Sequence, residues 1–264
     1  MSRSVVIIPT YNEKENIEKM IRRVFSLYDD FSILVVDDGS PDGTGAIVKG
    51  LQAEFPDRLF LMERGGKLGL GTAYLQGFAW ALERDFDFVF EMDADFSHNP
   101  EDLARLKAAC ENGGTAESGA DSSAEAGKDA YADVICGGAD LAVGSRYCNG
   151  ISVINWPIGR VLISYFASVF VRKVLNVRVF DCTSGFVCYS RRVLETLNLD
   201  KIKMKGYGFQ IEMKYSALKL GFRLKEVPII FIDRKEGSSK MSGSIFGEAF
   251  WGVLALRFRR IRAK

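Results

Sequence analysis

Two carboxylates separated by one residue stand where an apolar run ends in the stretch FVFEMDADFSHNP, residues 88–100. At such short range Asp93 and Asp95 repel each other and raise each other's pKa unless a cation or a hydrogen-bond donor compensates. Carboxylate oxygens are hard ligands that suit Mg²⁺ or Mn²⁺, and magnesium commonly completes its coordination with substrate phosphates. The pair therefore indicates a divalent metal that holds a nucleotide diphosphate, with a solvated turn as the alternative.

Apolar runs alternate with helical patterns through the first half of the chain. The runs have the length of strands and lie at 4–9, 32–38, 58–63 and 86–95. After the first run, apolar residues recur every three or four positions from Ile17 to Tyr28, as in an amphipathic helix. Apolar strands separated by helices predict a parallel sheet with crossover helices. The expected fold class is α/β, with an open, doubly wound and mostly parallel sheet.

Polar and acidic residues follow three of these predicted strands. They occur in PTYNE after the first, in VVDDGSPDGT at the end of the second and in EMDADFSH at the end of the fourth. Ligands of open α/β sheets bind at the carboxyl ends of the strands. We therefore expect these groups to share one edge of the sheet, although Asp, Gly, Ser and Pro are also simple turn formers.

A glycine-rich stretch, GGKLGLGTA at 65–73, resembles a phosphate-binding loop. It matches neither the P-loop pattern nor a dinucleotide fingerprint placed directly after the first strand. Nucleotide binding through either of those two loops is therefore not expected.

Composition limits the classes of function. The 264 residues are 47% hydrophobic and 26% charged with a formal net charge of +1, so no overall positive field favours nucleic acid. The five cysteines form no C-x-x-C pair, and we interpret them as reduced thiols of a cytosolic protein, with a disulfide framework as the alternative. No apolar stretch has the length of a signal peptide or of a membrane span, so we expect no bilayer crossing.

Two segments depart from the balanced charge. The stretch 111–133 is small, polar and acidic, which predicts a mobile surface insert. The segment from 242 to 264 has an apolar body and ends in LRFRRIRAK, so it either lies on an anionic membrane surface or packs as a last helix with a solvated basic tail. We expect a single domain made of a nucleotide-sugar half (1–110), a flexible acidic insert (111–139), an acceptor half (140–241) and an amphipathic basic helix (242–264).

An ordered set of motifs resembles the family-two inverting glycosyltransferases, which have a GT-A-type fold. The motifs are PTYNE, VVDDGSPDGT, GLGTAYLQGF, MDADFSH, VGSRY, DCTSGF, YGFQIEM and EVPIIFIDRKEGSSKM. Within that family the set is most similar to the dolichol-phosphate (polyprenol-phosphate) mannosyltransferases. The similarity spans nearly the whole chain except the acidic insert.

The resemblance implies roles for residues of the first half and of one later loop. Asp38 would accept a hydrogen bond from a guanine ring, while Asp93 and Asp95 would hold the metal. Ser97 stands where close relatives often carry Gln, so it would reach the metal through water or leave it to the two acids. The other residues implied for the nucleotide sugar are Pro9, Tyr11, Glu13 and, as cations of a closing loop, Arg234 and Lys240.

The resemblance also implies an acceptor site in the second half. Arg146, Arg160 and Ser164 match positions that hold a lipid phosphate, and Asp95, Arg146 and Arg160 would carry the catalysis. Residues 160 and 164 are four apart on a predicted helix and so share a face, and the arginine fork suits phosphate oxygens. The flank VLISYFASVFV would accommodate a polyprenyl tail or pack as an ordinary core helix.

The acceptor's chemistry predicts the mechanism. A phosphate monoester with a second pKa near 6 is already largely dianionic at neutral pH, so it needs no general base. The only histidine, His98, is expected to cap or pack rather than to catalyse. Gln210 and Glu212 are interpreted either as sugar contacts or as scaffold.

The implied reaction moves mannose from GDP-mannose to a polyprenyl phosphate with inversion, on a protein attached peripherally to the cytoplasmic face of a membrane or recruited there by an anchoring partner. Three alternatives remain open: a polyprenyl-phosphate glucosyltransferase that uses UDP-glucose, a transferase with a saccharide acceptor, and a non-catalytic binding partner of a membrane complex. A nucleic-acid partner is not expected.

Overall fold

The computed structural model describes residues 2–111, 138–233 and 244–264, and in the last of these ranges it describes side chains from residue 250 onward. Most of the predicted acidic insert at 111–139 lies outside the described residues, and so do Arg234 and Lys240. The four described cysteines, Cys110, Cys148, Cys182 and Cys188, are free thiols.

Nine strands and eight α-helices follow one another in the described residues. In chain order they are β1 (Ser4–Thr10), α1 (Ile17–Leu27), β2 (Phe31–Asp37), α2 (Thr44–Gln52), β3 (Leu59–Glu63), α3 (Leu70–Leu82), β4 (Phe88–Glu91), α4 (Leu103–Glu111), β5 (Leu141–Ser145), β6 (Val153–Ile154), α5 (Ile158–Leu175), β7 (Val187–Ser190), α6 (Arg191–Thr196), α7 (Tyr207–Lys219), β8 (Leu224–Pro228), β9 (Phe231–Ile232) and α8 (Ser244–Phe258).

Seven strands form one sheet in the order β3-β2-β1-β4-β7-β5-β8, and β6 pairs with β9 in a small second sheet. All neighbours in the large sheet are parallel except β7, which runs antiparallel to β4 and to β5. The expected α/β class with a mostly parallel sheet is confirmed. Since the chain leaves β1 toward β2 and later returns to its other side with β4, the topological switch point lies between β1 and β4.

Helices cover both faces of the sheet. Along β1, Val6 and Ile8 belong to one buried cluster and Val5 and Ile7 to another, as the period of two in a strand requires. Helices α1, α2 and α4 pack into the first cluster, and α3, α6 and α7 pack into the second. The sheet is therefore apolar on both sides, which is why its strands read as continuous apolar runs.

The ends of β1 and β4 differ from the sequence-based boundaries. β1 continues one residue beyond Pro9, whose pairing partner is Val36 on β2. β4 pairs with β1 only as far as Ile7 opposite Glu91, so β1 has a single neighbour at Pro9, a position where a missing N–H is tolerated. β4 ends at Glu91, and Asp93 and Asp95 therefore lie in the loop that follows the strand.

A third apolar cluster joins α5, α7 and α8 beside the sheet. Ring stacking of Phe170 on Phe250, with centroids 4.8 Å apart, fixes α8 against α5. On α8, Val253 and Leu256 are buried while Trp251 and Phe258 are exposed. One face of α8 thus packs as core and the other presents aromatic rings to solvent, while the membrane-surface reading of this segment stays a prediction.

Candidate active site

The carboxyl ends of β1, β2 and β4 meet at one edge of the sheet on both sides of the switch point. The backbone N–H of Asp38 donates to the carbonyl of Thr10 at 3.0 Å, and the N–H of Met92 donates to Ile7 at 3.2 Å. These bonds hold the loops after the three strands next to one another. The expected convergence of polar residues at one edge is present in the structure.

Asp38 is buried at the end of β2 and is bound by an arginine. Its Oδ1 accepts a hydrogen bond from Nε of Arg64 at 2.5 Å, and its Oδ2 accepts from the N–H of Leu68 at 3.2 Å. Arg64 is itself fixed by donating to Thr72 Oγ1 at 2.8 Å. The carboxylate is therefore oriented before any ligand arrives, and Oδ2 keeps a lone pair that could accept from a nucleobase.

The loop after β1 lies beside the glycine-rich stretch. The ammonium of Lys67 is 5.1 Å from the ring centroid of Tyr11, a cation–π contact. Glu13 is anchored by its backbone N–H, which donates to Thr44 Oγ1 at 3.0 Å. Tyr11, Glu13 and the exposed Lys67 thus line the same edge as Asp38 and Pro9.

The carboxylates of Asp93 and Asp95 differ in their exposure. The Asp93 side chain is 40% exposed, whereas Asp95 is buried and its Oδ1 accepts from the N–H of Ser97 at 3.0 Å. Between them and Ser97, Phe96 has a φ of 61°, a left-handed conformation that costs energy in a non-glycine residue. Such local strain fits a loop that is shaped to present its carboxylates.

The described residues include no group of three or more His, Cys, Asp or Glu side chains that could hold a metal. Two hard carboxylates with unequal burial fit a divalent cation whose remaining ligands come from substrate phosphate and water. Ser97 is buried in the same loop, and its carbonyl accepts from the N–H of Ile232 at 3.4 Å.

His98 packs in the interior behind Asp93. Its ring stacks on Phe186 with centroids 4.9 Å apart, and its Nδ1 accepts from the N–H of Asp93 at 3.3 Å. Burial is the largest influence on its pKa and lowers it to about 4, so the ring is neutral at physiological pH. The histidine therefore supports the loop by accepting this hydrogen bond, in agreement with the expected packing role.

Arg146 is buried at the end of β5 and forms a two-pronged ion pair. Its Nε and Nη2 donate to the two carboxylate oxygens of Asp181, each at 2.7 Å, and its backbone N–H donates to the same carboxylate at 3.0 Å. Burial alone would raise the pKa of Asp181, but attraction to Arg146 and its hydrogen bonds bring that pKa below its ordinary value. Within the described residues, Nη1 of Arg146 has no hydrogen-bond partner.

Arg160 and Arg146 contact the same tryptophan ring. The guanidinium carbons of Arg146 and Arg160 are 5.5 and 4.1 Å from the ring centroid of Trp156. Arg160 is half-buried, and its Nη1 donates to Asp233 Oδ1 at 2.9 Å. The indole Nε1 of Trp156 is buried and has no hydrogen-bond partner among the described residues. Two cations and an unpaired donor thus converge around one ring.

Ser164 stands one helical turn after Arg160 on α5, as expected. Its Oγ accepts a hydrogen bond from the hydroxyl of Tyr147 at 2.7 Å, and Tyr147 directly follows Arg146 in the chain. The structure therefore brings the three residues of the expected acceptor site together.

Ring contacts link the metal loop to the acceptor residues. His98 contacts Phe231 edge to face at 5.5 Å, and Phe231 contacts Trp156 in the same way at 5.2 Å. Asp95 and Asp233, the partner of Arg160, line the same cleft of about 800 Å³. A phosphate bound at the arginines would thus lie close to a diphosphate bound at Asp93 and Asp95.

A buried polar network lies beneath the site. Gln210 Nε2 donates to Glu91 Oε2 at 2.6 Å, and Lys214 Nζ donates to the carbonyl of Ser184 at 2.6 Å. Burial raises the pKa of Glu91 and lowers that of Lys214. The network lies between the strand that leads to Asp93 and the segment that carries Asp181.

Gln210 and Glu212 belong to the scaffold in this structure. Glu212 Oε2 accepts from the backbone N–H groups of Lys203 and Met204 at 2.9 and 2.7 Å, and Arg259 forms an ion pair with the same carboxylate. Both side chains are buried. The scaffold reading of these two residues is therefore favoured over contacts with a sugar.

Sequence reasoning missed several residues of the site. Arg64, Lys67, Tyr147, Trp156 and Asp181 contact expected site residues but were not assigned roles. Only Lys67 had a local signal in the sequence, because a cation in a glycine-rich loop after a strand is a candidate phosphate ligand. The Asp181 pairing spans 35 positions of the chain, and no local pattern encodes such a contact.

Known proteins are similar to this chain over most of its length. The family model described as glycosyl transferase family 2 matches residues 5–120. The polyprenol monophosphomannose synthase of Mycolicibacterium smegmatis is 44% identical over 95% of this chain and 87% of its own length. The undecaprenyl-phosphate mannosyltransferase of Micrococcus luteus is 40% identical over 99% of this chain and 98% of its own.

Solved structures show the same fold. A crystal structure of glucosyl-3-phosphoglycerate synthase from Mycobacterium tuberculosis with Mn²⁺, uridine diphosphate and phosphoglyceric acid superposes with a TM-score of 0.66 at 19% identity. The match covers 98% of this chain and 80% of that one. Another structure of the enzyme, with Mn²⁺, UDP-glucose and glycerol 3-phosphate, gives a TM-score of 0.63 over 97% of this chain.

Proposed function

The chain belongs to the family 2 glycosyltransferases, and on that premise we propose that it transfers a mannosyl residue from GDP-mannose to a polyprenyl phosphate with inversion at the anomeric carbon. Two relatives that match nearly the whole chain carry names of polyprenyl-phosphate mannosyltransferases. The product is a polyprenyl-phosphate mannose.

One observation carries the choice of acceptor. Arg146 and Arg160 converge on Trp156, whose buried indole N–H has no partner among the described residues. A buried donor without a partner is costly, and a phosphate oxygen would satisfy it. Because arginine forks match phosphate oxygens, the three groups form a cradle for a phosphate monoester.

The donor nucleotide belongs at the opposite side of the site. Asp38, oriented by Arg64, can accept from a guanine N–H, while Tyr11 and Glu13 line the path toward the diphosphate. Among the described residues, Lys67 supplies a cation beside that path. Arg234 and Lys240 remain proposals for the same diphosphate.

Asp93 and Asp95 fit a divalent metal, Mg²⁺ or Mn²⁺. A bound metal would neutralise charge on the donor diphosphate, which makes the nucleoside diphosphate a better leaving group. Ser97 is too deeply buried to be assigned more than a supporting part in the loop.

The mechanism that we propose is a single displacement. A phosphate oxygen of the acceptor forms a bond to the anomeric carbon while the bond from that carbon to the diphosphate oxygen breaks, and the electron pair leaves with the nucleoside diphosphate. No proton has to be removed, since the acceptor is dianionic near neutral pH. Arg146 and Arg160 hold the attacking phosphate in line, and the neutral His98 takes no part in proton transfer.

An apolar surface next to the cradle suits a polyprenyl chain and peripheral attachment to a membrane. On the first half of α5 the exposed side chains are Ile158, Leu162, Ile163 and Phe166. The second half of the helix packs inward through Val171 and Leu175. No helix of the described residues is long and apolar enough to cross a bilayer. We place the protein on the cytoplasmic face of a membrane, where an anchoring partner would strengthen its attachment.

The proposal is tested with purified protein, undecaprenyl phosphate and either GDP-mannose or UDP-glucose, with and without Mg²⁺ or Mn²⁺, followed by extraction and mass spectrometry of the lipid. Lipid-linked mannose that depends on metal is the expected product. Lipid-linked glucose would show that the donor is UDP-glucose instead of GDP-mannose. Transfer that persists in EDTA would contradict the proposed metal binding by Asp93 and Asp95.

A further inference from the structure

Two adjoining cavities lie far along the chain from the catalytic residues, between the segment 197–205 and the end of α8. Their volumes are about 500 and 490 Å³, and they share Lys203 and Arg259 in their walls. We call them together the basic cavity. Two backbone contacts join the chain segments around it. Leu197 and Ala263 form an isolated β-bridge, and the N–H of Lys264 donates to the carbonyl of Thr196 at 2.9 Å.

Cations dominate the walls of the basic cavity. The basic side chains that line it are Lys201, Lys203, Lys205, Arg259, Arg260 and Arg262. Of the described residues that line it, none is acidic. Only Arg259 has a carboxylate partner, the buried Glu212, among the described residues. The cavity therefore carries excess positive charge, which attracts anions.

A buried hydroxyl provides a second and independent sign of a ligand. Ser216 of α7 lines the basic cavity, is 2% exposed and has no hydrogen-bond partner for its Oγ among the described residues. Serine within a helix can usually satisfy its hydroxyl by bonding to the preceding turn. An anionic oxygen in the cavity would accept from this hydroxyl and from the surrounding cations together.

The rim of the basic cavity is aromatic. Phe258 lines the cavity and is 88% exposed, and Trp251, two turns earlier on α8, is 71% exposed. Aromatic rings beside Lys and Arg are the pattern of a surface that lies in the interfacial region of a bilayer. This combination distinguishes a lipid headgroup from a soluble anion, because a soluble anion gives the rings nothing to contact.

We propose that the basic cavity binds the phosphate of an anionic phospholipid headgroup, with Phe258 and Trp251 inserted among the acyl chains. This inference rests on the membrane attachment in the proposed function and goes beyond it, because it assigns selectivity for anionic lipid to residues outside the catalytic cleft. Lipid binding there would hold α8, and α5 packed against it, at the membrane surface where a polyprenyl phosphate resides.

The test is sedimentation of the full chain with vesicles of phosphatidylcholine, with or without phosphatidylglycerol. The triple variant Lys201→Gln, Lys203→Gln, Arg262→Gln removes three exposed cations of the cavity. The control variant Arg23→Gln, Lys49→Gln, Arg84→Gln removes three exposed cations from the first half of the chain. The cavity variant should lose at least about tenfold in partitioning onto phosphatidylglycerol vesicles, given the attraction of each cation to anionic lipid. The control should bind like the wild type.

Ser216→Ala separates a built site from diffuse charge, because it leaves the net charge unchanged. We expect about a threefold loss of phosphatidylglycerol binding, the effect of one hydrogen bond. Three results would overturn the proposal: wild-type binding that does not depend on phosphatidylglycerol, equal losses of binding in the two triple variants, or full binding by Ser216→Ala.

The outcome is independent of the transfer reaction. Selective vesicle binding without mannosyl transfer would leave this inference intact and remove the proposed function. Transfer in detergent without any lipid selectivity would do the reverse.

Discussion

Arg146 and Asp181 are bound to each other through two parallel hydrogen bonds of 2.7 Å in the interior of the protein. The carboxylate uses both oxygens for the arginine, and the arginine retains Nη1 for another partner. A cation held in this way is positioned before substrate binds, so little side-chain entropy is lost when a phosphate arrives.

Removing the Asp181 carboxylate should therefore lower the stability of the fold. Asp181→Asn leaves the buried Arg146 without its counter-charge, and we expect a loss of about 3 kcal/mol in the free energy of unfolding, measured by urea denaturation. The control is Asp85→Asn, which breaks an ion pair with Arg191 whose acid is 85% exposed and should cost less than about 1 kcal/mol. Equal losses in the two variants would contradict the buried pairing.

Arg160 is partly accessible, so its replacement should act on binding. Arg160→Gln should raise the KM for polyprenyl phosphate by about tenfold or more, the value of a charge-assisted hydrogen bond, and leave the KM for GDP-mannose unchanged. Lys173→Gln removes an exposed cation from the same helix and serves as the matched control. A rise in the donor KM instead would move Arg160 to the nucleotide.

Asp95 should be required for metal binding. Asp95→Asn should abolish the binding of Mn²⁺ in the presence of GDP, measured by electron paramagnetic resonance, and should lower transfer at least about a hundredfold. Asp102→Asn is the control, because Asp102 lines the same cleft but pairs with Arg105. Metal binding that survives in the Asp95 variant would show that other groups hold the cation.

The single histidine predicts a pH dependence of stability in metal-free protein. The folded pKa of His98 is lowered to about 4 by burial, while the unfolded value is 6.5. The unfolded state thus binds the proton first, so the stability due to the neutral ring is complete above pH 6.5 and is lost as the pH falls toward 4. Each unit of the difference is worth about 1.4 kcal/mol.

Urea denaturation in EDTA at several pH values measures this effect. His98→Gln removes the titrating ring, and no other histidine exists in the chain to obscure the comparison. The slope of stability against pH between 6.5 and 4 should be shallower in the variant than in the wild type. Parallel slopes would mean that His98 is protonated in the folded state.

The strands that build the nucleotide edge were predictable because they are buried on both faces. Continuous apolar runs gave β1 to β3 within one or two residues, and the turn residues that follow marked the edge. Asp93 and Asp95 stood out for the same reason, since two acids directly after a buried strand need a physical cause.

The sheet beyond β4 was not predictable in this way. β7 inserts antiparallel between β4 and β5, although β5 precedes it in the chain. No helical or alternating pattern distinguishes that arrangement from a simple continuation of the parallel order. Pairing between distant segments decides it.

The buried charges were missed for a related reason. Residues Gly208 to Ala217 of α7 are all buried, so Gln210 and Lys214 lie in the core despite their polar side chains. A helix that carries Lys and Glu is typical of a surface, whereas here partners far away in the chain satisfy these side chains: Glu91 for Gln210, and the carbonyls of Cys182 and Ser184 for Lys214.

The most direct test of the account compares acceptors. Purified protein with GDP-mannose and metal is offered undecaprenyl phosphate, undecaprenol without phosphate, or a short mannoside, and initial rates are followed from weakly acidic to weakly alkaline pH. Transfer to the phosphate alone, with a rate that persists down to the second pKa of the phosphate, is the result predicted for a dianionic nucleophile held by Arg146 and Arg160. Comparable transfer to undecaprenol or to the mannoside would contradict it, because a hydroxyl acceptor must lose a proton to a base, a step that the proposed displacement does not contain.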